Sequence, residues 1–224
     1  SGFDLTQSNA KAVHCGNPVR SEMLSLPSPD ERYAGRAEAR RILIIGGSLG
    51  ARGLNQLLPT SLAALEQART LEIWHQTGKQ QIDEVSQAYK EKGIEARVMP
   101  FIEDMAAAYA WADLVICRSG AMTLAEIASV GLPAVLVPYP HAVDDHQTSN
   151  ANSFVRVGAA YLMQERDTTA EQMSVLLSKL MSKPEHLLAM ANAAYSLRRA
   201  DAATVLADSC QQGGSSPASA GGLH

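Results

Sequence analysis

The stretch Arg41–Ala51 reads RILIIGGSLGA, and it decides the fold. Its first five residues are a short apolar run, which glycines and a serine separate from a helical pattern. A strand that is apolar along its whole length is typical of a parallel sheet with both faces covered. Glycine permits the tight turn from such a strand into a helix. The stretch therefore predicts the first strand, turn and helix of an α/β domain.

The same alternation of apolar runs and helical patterns continues along the chain. Right-handed crossovers would place the helices on both faces of one sheet. We therefore expect a doubly wound, Rossmann-like parallel sheet of about six strands. The predicted strands are Arg41–Ile45, Leu71–His75, Ala96–Met99, Leu114–Cys117, Ala134–Val137 and Ala160–Met163, and the predicted helices between them are Ala51–Gln67, Gln80–Lys92, Glu103–Trp111, Thr123–Val130 and Asp145–Val157.

The chain divides into three parts by composition. Residues 1–40 are polar and irregular, and we interpret them as a connector that leads into the domain. Residues 41–210 form the predicted domain, whose last part is helical with a break at Pro184. Residues 211–224 are rich in Gly, Ser and Ala, which predicts a flexible tail.

The composition disfavours several classes of protein. The 224 residues include 19 basic and 23 acidic side chains, and a net charge of −4 disfavours a nucleic-acid binder that relies on bulk positive charge. Cys15, Cys117 and Cys210 are far apart, so we expect neither a CxxC zinc site nor a disulfide framework. No apolar run approaches the ~20 residues of a membrane span, and no signal peptide is recognisable. We therefore expect a cytosolic protein.

The turn Gly46–Ala51 favours an anionic ligand. Backbone N–H groups at the start of a helix, together with the positive end of the helix dipole, suit a phosphate group. Ser48 adds a hydroxyl donor. The spacing is neither GxGxxG nor the GxxxxGK(S/T) pattern of P-loop NTPases. A tight turn that binds nothing is the alternative.

A second glycine turn, Cys117–Glu126, follows the fourth predicted strand. The N–H groups of Ala121–Thr123 again open a helix and suit an anion. Glu126 lies at the edge where ligands bind open α/β sheets, and we interpret it as an acceptor for two sugar hydroxyls. Thr123 and Glu126 also have the spacing of a capping box, in which Thr123 caps the helix and Glu126 binds back to its N–H.

Two further loops and the connector carry candidate ligand-binding residues. Phe101 is a candidate to lie on a base whose edge the Ile102 backbone reads; alternatively, Phe101 packs into the core as a hydrophobic staple. His146 and Gln147 begin a helix and supply hydrogen-bonding groups for sugar hydroxyls. Arg20 offers the planar, bidentate contact that suits a diphosphate.

Other polar residues are given structural interpretations. Asp144 and Asp145 are adjacent rather than spaced as Asp-x-Asp, which favours helix N-caps over a metal–diphosphate site. His14 and His75 have no partners at ligand spacing and are interpreted as surface or packing residues. We expect neither a metal nor a cofactor.

Six motifs occur together and in order, and their combination resembles the C-terminal, donor-binding half of glycosyltransferase family 28. The members that the motifs resemble are the undecaprenyl-diphospho-muramoylpentapeptide β-N-acetylglucosaminyltransferases of bacterial peptidoglycan synthesis. They have the GT-B fold, in which two Rossmann-like domains face a cleft. The resemblance covers roughly residues 16–206, and its motifs are Gly16–Arg20, Gly46–Ala51, Trp74–Lys79, Phe101–Met105, Cys117–Glu126 and His146–Gln147.

The resemblance implies that residues 41–210 bind UDP-N-acetylglucosamine (UDP-GlcNAc). Each part of this donor then has its own candidate contacts. They are Phe101 and the Ile102 backbone for uracil, Glu126 for the ribose, Arg20, Ser48 and the helix start at Ala121, Met122 and Thr123 for the diphosphate, and Gln147 with His146 for GlcNAc, while Leu124 and Ala125 complete the binding run 121–126.

The implied activity is inverting transfer of GlcNAc from UDP-GlcNAc to the lipid-linked muramoylpentapeptide (lipid I to lipid II), in the service of cell-wall biogenesis, cell shape and cell division. The resemblance places the enzyme peripherally on the cytoplasmic face of the bacterial inner membrane. It also implies an N-terminal domain before Gly16 that carries the acceptor site, the general base and the membrane contact. We therefore expect no catalytic base in this chain, and we expect the chain alone to be inactive.

Two other functions are compatible with the same motifs. An isolated module could bind UDP-GlcNAc without turnover, and an assay with donor and lipid acceptor would distinguish it from a transferase. A GT-B-fold UDP-GlcNAc epimerase would use the same donor. An epimerase would need paired acid and base groups in this half, and the sequence offers no convincing pair.

Overall fold

A computed structural model describes most of the chain. The described residues are 16–36, 38, 40–47, 51–65, 70–140 and 145–199, together with 202, 204, 205 and 207. They form an α/β domain in which short strands alternate with helices. Within these residues, no helix combines the length and the apolar character that crossing a bilayer requires.

The centre of the domain is one parallel sheet, as the apolar runs predict. The strands are β1 (Arg41–Ile45), β2 (Glu72–Gln76), β3 (Arg97–Met99), β4 (Leu114–Cys117), β5 (Ala134–Leu136) and β6 (Ala160–Leu162). Their order in the sheet is β3-β2-β1-β4-β5-β6, and every neighbouring pair is parallel.

Helices cover both faces of the sheet, and each face has its own hydrophobic core. The helices of the described residues are α1 (Ser21–Leu24), α2 (Pro29–Tyr33), α3 (Arg52–Ala63), α4 (Ile82–Glu91), α5 (Met105–Trp111), α6 (Ala121–Val130), α7 (His146–Arg156), α8 (Ala170–Met181) and α9 (Pro184–Tyr195), with a 3-10 turn at Glu165–Asp167. One core is formed with α3, α4, α8 and most of α9, and the other with α1, α5, α6 and α7.

The side chains of β1 show why its sequence is apolar throughout. Ile42 and Ile44 lie in the first core, whereas Leu43 and Ile45 lie in the second. Successive side chains of a strand point to opposite faces, so a strand with helices on both sides needs apolar residues at every position. The doubly wound fold that the sequence predicts is confirmed.

The bounds of the elements agree closely with the sequence pattern, apart from the connector. Pro184 is the first residue of α9, so the predicted break is observed. The expectation that residues 1–40 are irregular is wrong for Ser21–Leu24 and Pro29–Tyr33, which are helical. Ser28 and Glu31 form a capping box at α2, a signal too local to be seen as a sustained hydrophobic period. The tail 211–224 lies outside the described residues.

Asp113, at the amino end of β4, links the connector to the sheet through hydrogen bonds and an ion pair. Its carboxylate is buried and accepts hydrogen bonds from the backbone N–H groups of Arg40 and Arg41, both at 2.9 Å. It also pairs with the guanidinium of Arg36, and its backbone carbonyl accepts the hydroxyl of Tyr33 at 2.7 Å. A buried carboxylate needs such partners to offset its desolvation. The approach of the connector to β1 is therefore set at this edge.

Replacing Asp113 should destabilise the domain strongly. Asp113→Ala removes the partner of one guanidinium and of two backbone N–H groups, so we expect a loss of about 3–5 kcal/mol in the free energy of unfolding. Asp113→Asn keeps an acceptor and should cost less. Urea denaturation measures both losses.

Glu38→Ala is the matched control, because it removes an exposed carboxylate that pairs with Arg40. We expect that change to cost less than about 0.5 kcal/mol. Equal losses in Asp113→Ala and Glu38→Ala would show that the Asp113 contacts are not what holds the connector.

Candidate functional site

The candidate site lies at the carboxyl edge of the sheet, which is the edge where the parallel strands end. The order of the strands reverses direction between β1 and β4, and open α/β sheets bind ligands at such a switch point. Ile45 and Cys117, the last residues of these strands, are paired in register. The two glycine turns found in the sequence therefore start side by side.

The first turn begins at Gly46, whose N–H donates to the carbonyl of Gln76 at 3.1 Å. Gly47 has φ +79°, a conformation that L side chains rarely adopt, so this position requires glycine. Ala51 is the N-cap of α3, which begins at Arg52 without a side-chain cap. Ser48, the predicted hydroxyl donor, lies outside the described residues.

The second turn leads into α6, whose N-cap is Gly120. No side chain caps this helix, and the N–H groups of Ala121, Met122 and Thr123 belong to the first turn, which has no partners within the helix. The side chain of Met122 is 53% exposed at the same end. The structure therefore presents an uncapped helix N-terminus at the carboxyl edge, the arrangement that suits an anion.

The capping box considered for Thr123 and Glu126 is wrong. The helix begins two residues before Thr123, at Ala121, so Thr123 occupies the third helical position and Glu126 the sixth. A capping box needs its acidic residue at the third helical position. Glu126 is therefore not used to cap its own helix.

Glu126 is held instead by a neighbouring helix. Its Oε2 accepts a hydrogen bond from the hydroxyl of Tyr109, in α5, at 2.9 Å. Burial raises the pKa of the half-buried Glu126 above its usual range, whereas the hydrogen bond from Tyr109 and the positive charge of Arg20 lower it. The carboxylate thus lies at the edge with an oriented oxygen and a cation nearby.

Arg20 is brought to this site by the connector. It is exposed and forms the N-cap of α1, and its carbonyl accepts the N–H of Met23 at 3.1 Å. The side chain of Met23 is buried in the same core as α6. A buried methionine therefore anchors the turn that carries the arginine.

In the third loop Phe101 is exposed, whereas Ile102 is half-buried. Phe101 is 40% exposed, so the interpretation as a core staple is wrong, and the Nζ of Lys79 lies 5.5 Å from its ring centroid. Ile102 is half-buried and packs against the core of α5 and α6. An exposed ring beside a fixed backbone is compatible with stacking on a base.

The fourth loop leads into α7, where His146 and Gln147 are the first two helical residues. The Oε1 of Gln147 accepts the N–H of Tyr139 at 2.9 Å, and its carbonyl accepts the hydroxyl of the buried Ser119 at 2.8 Å. These bonds tie the start of α7 to the turn before α6. The amide of Gln147 is thereby oriented, with Nε2 as its donor group.

Asp145 occupies the N-cap position of α7, but its side chain makes no capping hydrogen bond, so the interpretation as a side-chain cap is wrong for this residue. Its φ of +49° places it in the left-handed region, which is uncommon outside glycine. Such strain is typical of binding loops. Asp144 lies outside the described residues.

Some predicted residues do not face the edge with their side chains. Leu124 is buried in the core, and its N–H bonds to the carbonyl of Gly120 at 3.0 Å, so neither group is directed at a ligand. Ala125 is half-buried within α6. His75 is a packing residue as expected: it is completely buried between Tyr89 and Asn55, with 3.0 Å hydrogen bonds to both.

Sequence reasoning missed the pair formed by Arg118 and Glu165. The Arg118 guanidinium donates to the carbonyls of Val137 and Pro138 at 3.1 and 3.0 Å and pairs with the Glu165 carboxylate. A Cβ at Gly53 would lie only 2.2–2.5 Å from that carboxylate, so the pair seats against the first turn of α3. Arg118 directly follows a buried strand, which was the signal available; nothing in the sequence indicated Glu165.

Tyr109 was also missed, because it lies within an alanine-rich helical pattern with no polar neighbour in the chain. Among the described residues, no group of three or more His, Cys, Asp or Glu side chains is placed to hold a metal ion. The positive groups identified at this edge are helix N–H groups, arginines and the ammonium group of Lys79.

Proteins of similar sequence share one name. The chain is 47% identical over 210 residues to the UDP-N-acetylglucosamine–N-acetylmuramyl-(pentapeptide) pyrophosphoryl-undecaprenol N-acetylglucosamine transferase of Azotobacter vinelandii, covering 92% of this chain and 57% of that protein. It is 48% identical over 225 residues to the transferase of the same name from Xanthomonas axonopodis pv. citri, covering 100% of this chain and 52% of that protein. The chain thus spans about half the length of these relatives.

Solved structures agree with this similarity. The crystal structure of Acinetobacter baumannii MurG superposes with a TM-score of 0.79 at 41% sequence identity, over 85% of this chain and 55% of that one. The glycosyltransferase VinC, at 18% identity and a TM-score of 0.55 over 83% of this chain and 45% of its own, shows a shared fold alone.

The family model for the glycosyltransferase family 28 C-terminal domain matches residues 41–206. This range begins with β1 and extends beyond α9, so it contains the whole sheet and both glycine turns. The chain therefore belongs to glycosyltransferase family 28, and it contains that family's C-terminal domain.

Proposed function

We propose that this chain is the donor-binding part of an inverting glycosyltransferase that moves GlcNAc from UDP-GlcNAc to undecaprenyl-diphospho-muramoylpentapeptide. One observation carries the proposal. An uncapped helix N-terminus and an oriented, half-buried carboxylate lie on the same helix, α6, at the switch point of the sheet. The first suits a diphosphate and the second suits ribose hydroxyls, so together they fit a nucleoside diphosphate.

The diphosphate would lie at the start of α6. Its negative charge would be met by the N–H groups of Ala121–Thr123, by the guanidinium of Arg20, and by the turn that contains Ser48. Arg20 already acts electrostatically on Glu126, which supports its position beside the same ligand. Hydrogen bonds from ionised or dipolar donors to phosphate are among the stronger polar contacts in proteins.

The remaining parts of the donor would extend to both sides of the diphosphate. The ribose hydroxyls would donate to Glu126, and uracil would lie beside the exposed ring of Phe101 with its edge read by the Ile102 backbone. On the other side, the oriented amide of Gln147 and the neighbouring His146 would contact GlcNAc hydroxyls. Sugar recognition needs such closely spaced donors and acceptors.

Catalysis by this half would act on the leaving group. As the bond between the anomeric carbon and the diphosphate breaks, negative charge accumulates on UDP. The N–H groups at the start of α6 and the guanidinium of Arg20 are already in place before the reaction. They would stabilise the charge of the leaving UDP more than they stabilise bound UDP-GlcNAc. Loss of one such donor would lower the rate by roughly 10²–10³-fold. The base that activates the acceptor hydroxyl would belong to the rest of the enzyme.

The names of the relatives support the acceptor that we propose, because they specify a pyrophosphoryl-undecaprenol. Such a lipid-linked acceptor is confined to a membrane. We therefore propose a peripheral location at the cytoplasmic face of the bacterial inner membrane, where UDP-GlcNAc and the lipid acceptor meet. The product would serve cell-wall synthesis and hence cell shape and division.

The base-binding loop should select uridine. Calorimetric titration of the chain with UDP, ADP and GDP measures this selectivity, and we expect UDP to bind at least about tenfold more tightly, which corresponds to 1.4 kcal/mol. A purine would not fit both the exposed ring of Phe101 and a backbone edge suited to uracil. Equal affinities for the three nucleotides would contradict the assignment of this loop.

Glu126→Gln should weaken donor binding while leaving the fold intact. The amide oxygen still accepts the Tyr109 hydroxyl, but the ribose loses charge-assisted hydrogen bonds, so we expect UDP-GlcNAc affinity to fall by roughly 1 kcal/mol for each bond. Calorimetry measures the affinity, and thermal unfolding monitors the fold. Glu91→Gln, an exposed change at the end of α4, is the control. An unchanged affinity in Glu126→Gln would exclude the ribose contact.

The 224-residue chain should bind the donor without transferring GlcNAc. The proposed donor contacts lie between Arg20 and Gln147, whereas family resemblance places the acceptor site in the other half of the relatives' length. The measurement is an assay with labelled UDP-GlcNAc and the lipid acceptor, with and without a chain that supplies that other half. Full transfer by this chain alone would contradict the proposed division of roles.

A further inference from the structure

Tyr109 makes the contact on which this inference is based. Its side chain is completely buried in α5, and its hydroxyl donates to Glu126 Oε2 in α6 at 2.9 Å. A tyrosine hydroxyl that is removed from water needs a hydrogen-bond partner, since an unsatisfied buried donor is costly. Burial of the ring therefore holds the hydroxyl against the carboxylate.

The two side chains differ in stiffness. The ring of Tyr109 has few torsions and is packed in the core with Leu43, Val115 and Ile127, so its hydroxyl has a defined position. Glu126 has a long, flexible side chain that is half-buried. Ordering such a side chain on binding costs entropy, and a carboxylate that is already oriented avoids that cost.

Charged and titratable groups from three elements face Glu126. Tyr109 faces it from α5, Cys117 from β4, and Arg20 from the connector. Burial raises the pKa of Glu126, and the hydrogen bond from Tyr109 opposes burial by favouring the ionised form. Cys117 is buried, and its own pKa is raised to about 12, so it is neutral near pH 7.

We propose that Tyr109 is a positioning residue of the nucleotide-sugar site: its buried hydroxyl orients the Glu126 carboxylate for the ribose. The proposal rests on the proposed function, because it takes Glu126 as the acceptor of the ribose hydroxyls. Tyr109 acts through Glu126 and does not touch the ligand.

The experiment compares two ligands in the full 224-residue chain. UDP carries both ribose hydroxyls, and 2′,3′-dideoxy-UDP carries neither. Tyr109→Phe keeps the ring and removes only the hydroxyl, so we expect the UDP affinity to fall about 3- to 10-fold. The affinity for 2′,3′-dideoxy-UDP should stay unchanged, because this ligand makes no bond to Glu126.

Tyr33→Phe is the matched control. Tyr33 is also buried, and its hydroxyl donates to the carbonyl of Asp113 at 2.7 Å, at the amino edge of the sheet. The change is chemically identical and removes a buried hydrogen bond of similar length away from the site. We expect it to alter thermal stability but neither ligand affinity.

The pH dependence of UDP affinity is a second measurement, and a purely structural role of Tyr109 would leave it unchanged. Ribose binding needs the ionised carboxylate, so UDP affinity should fall as the pH drops through the pKa of Glu126. Since the Tyr109 hydroxyl lowers that pKa, Tyr109→Phe should move the loss of affinity to higher pH. Incorporation of 3-fluorotyrosine at position 109, a stronger donor that retains the hydroxyl, should move it to lower pH.

The outcomes separate the two proposals. If the unmodified chain binds UDP and 2′,3′-dideoxy-UDP equally, the ribose contact of the proposed function fails. A second set of outcomes applies if the unmodified chain does prefer UDP. If Tyr109→Phe then leaves both affinities unchanged, or lowers both by the same factor, Tyr109 does not position Glu126. Unshifted pH profiles in the phenylalanine and fluorotyrosine proteins would overturn the proposal as well.

Discussion

The parallel pairing of β1 with β4 is the constraint on which the site depends. Ile45 lies opposite Cys117, so the two strands end together, and their following turns start at the same edge. The helices then leave on opposite faces, because α3 packs in one core and α6 in the other. The gap between them is a property of the strand order, which creates the switch point where open α/β sheets bind ligands.

A network of buried hydrogen bonds and the candidate binding site lie at opposite ends of the strands. The amino edge carries the buried Asp113, which satisfies backbone N–H groups and a guanidinium and so closes the connector onto the sheet. The carboxyl edge carries an uncapped helix start at Gly120 and a left-handed Asp145. Groups that are left unsatisfied or strained cost stability, and at the carboxyl edge such groups are retained.

Two carboxylates at the carboxyl edge show how burial and charge are balanced there. Desolvation disfavours the ionised form of Glu126, whereas the hydrogen bond from Tyr109 and the charge of Arg20 favour it. Glu165 is supported by Arg118 and seats against Gly53, where a side chain would displace it. In both cases a charged group is held by a residue of a different element. The positions of these carboxylates at the edge therefore depend on contacts between separate elements as well as on the turns.

The sequence by itself determined the doubly wound sheet and the alternation of its strands and helices, because periodicity and glycine placement act locally along the chain. It did not decide whether Glu126 closes a capping box, nor whether Phe101 is buried or exposed, since each residue type fits both. Only the tertiary structure decided these, and only it brought Tyr109 to Glu126 and Glu165 to Arg118. Those contacts join residues 17 and 47 positions apart in the chain, and their geometry depends on how helices and loops pack across the sheet.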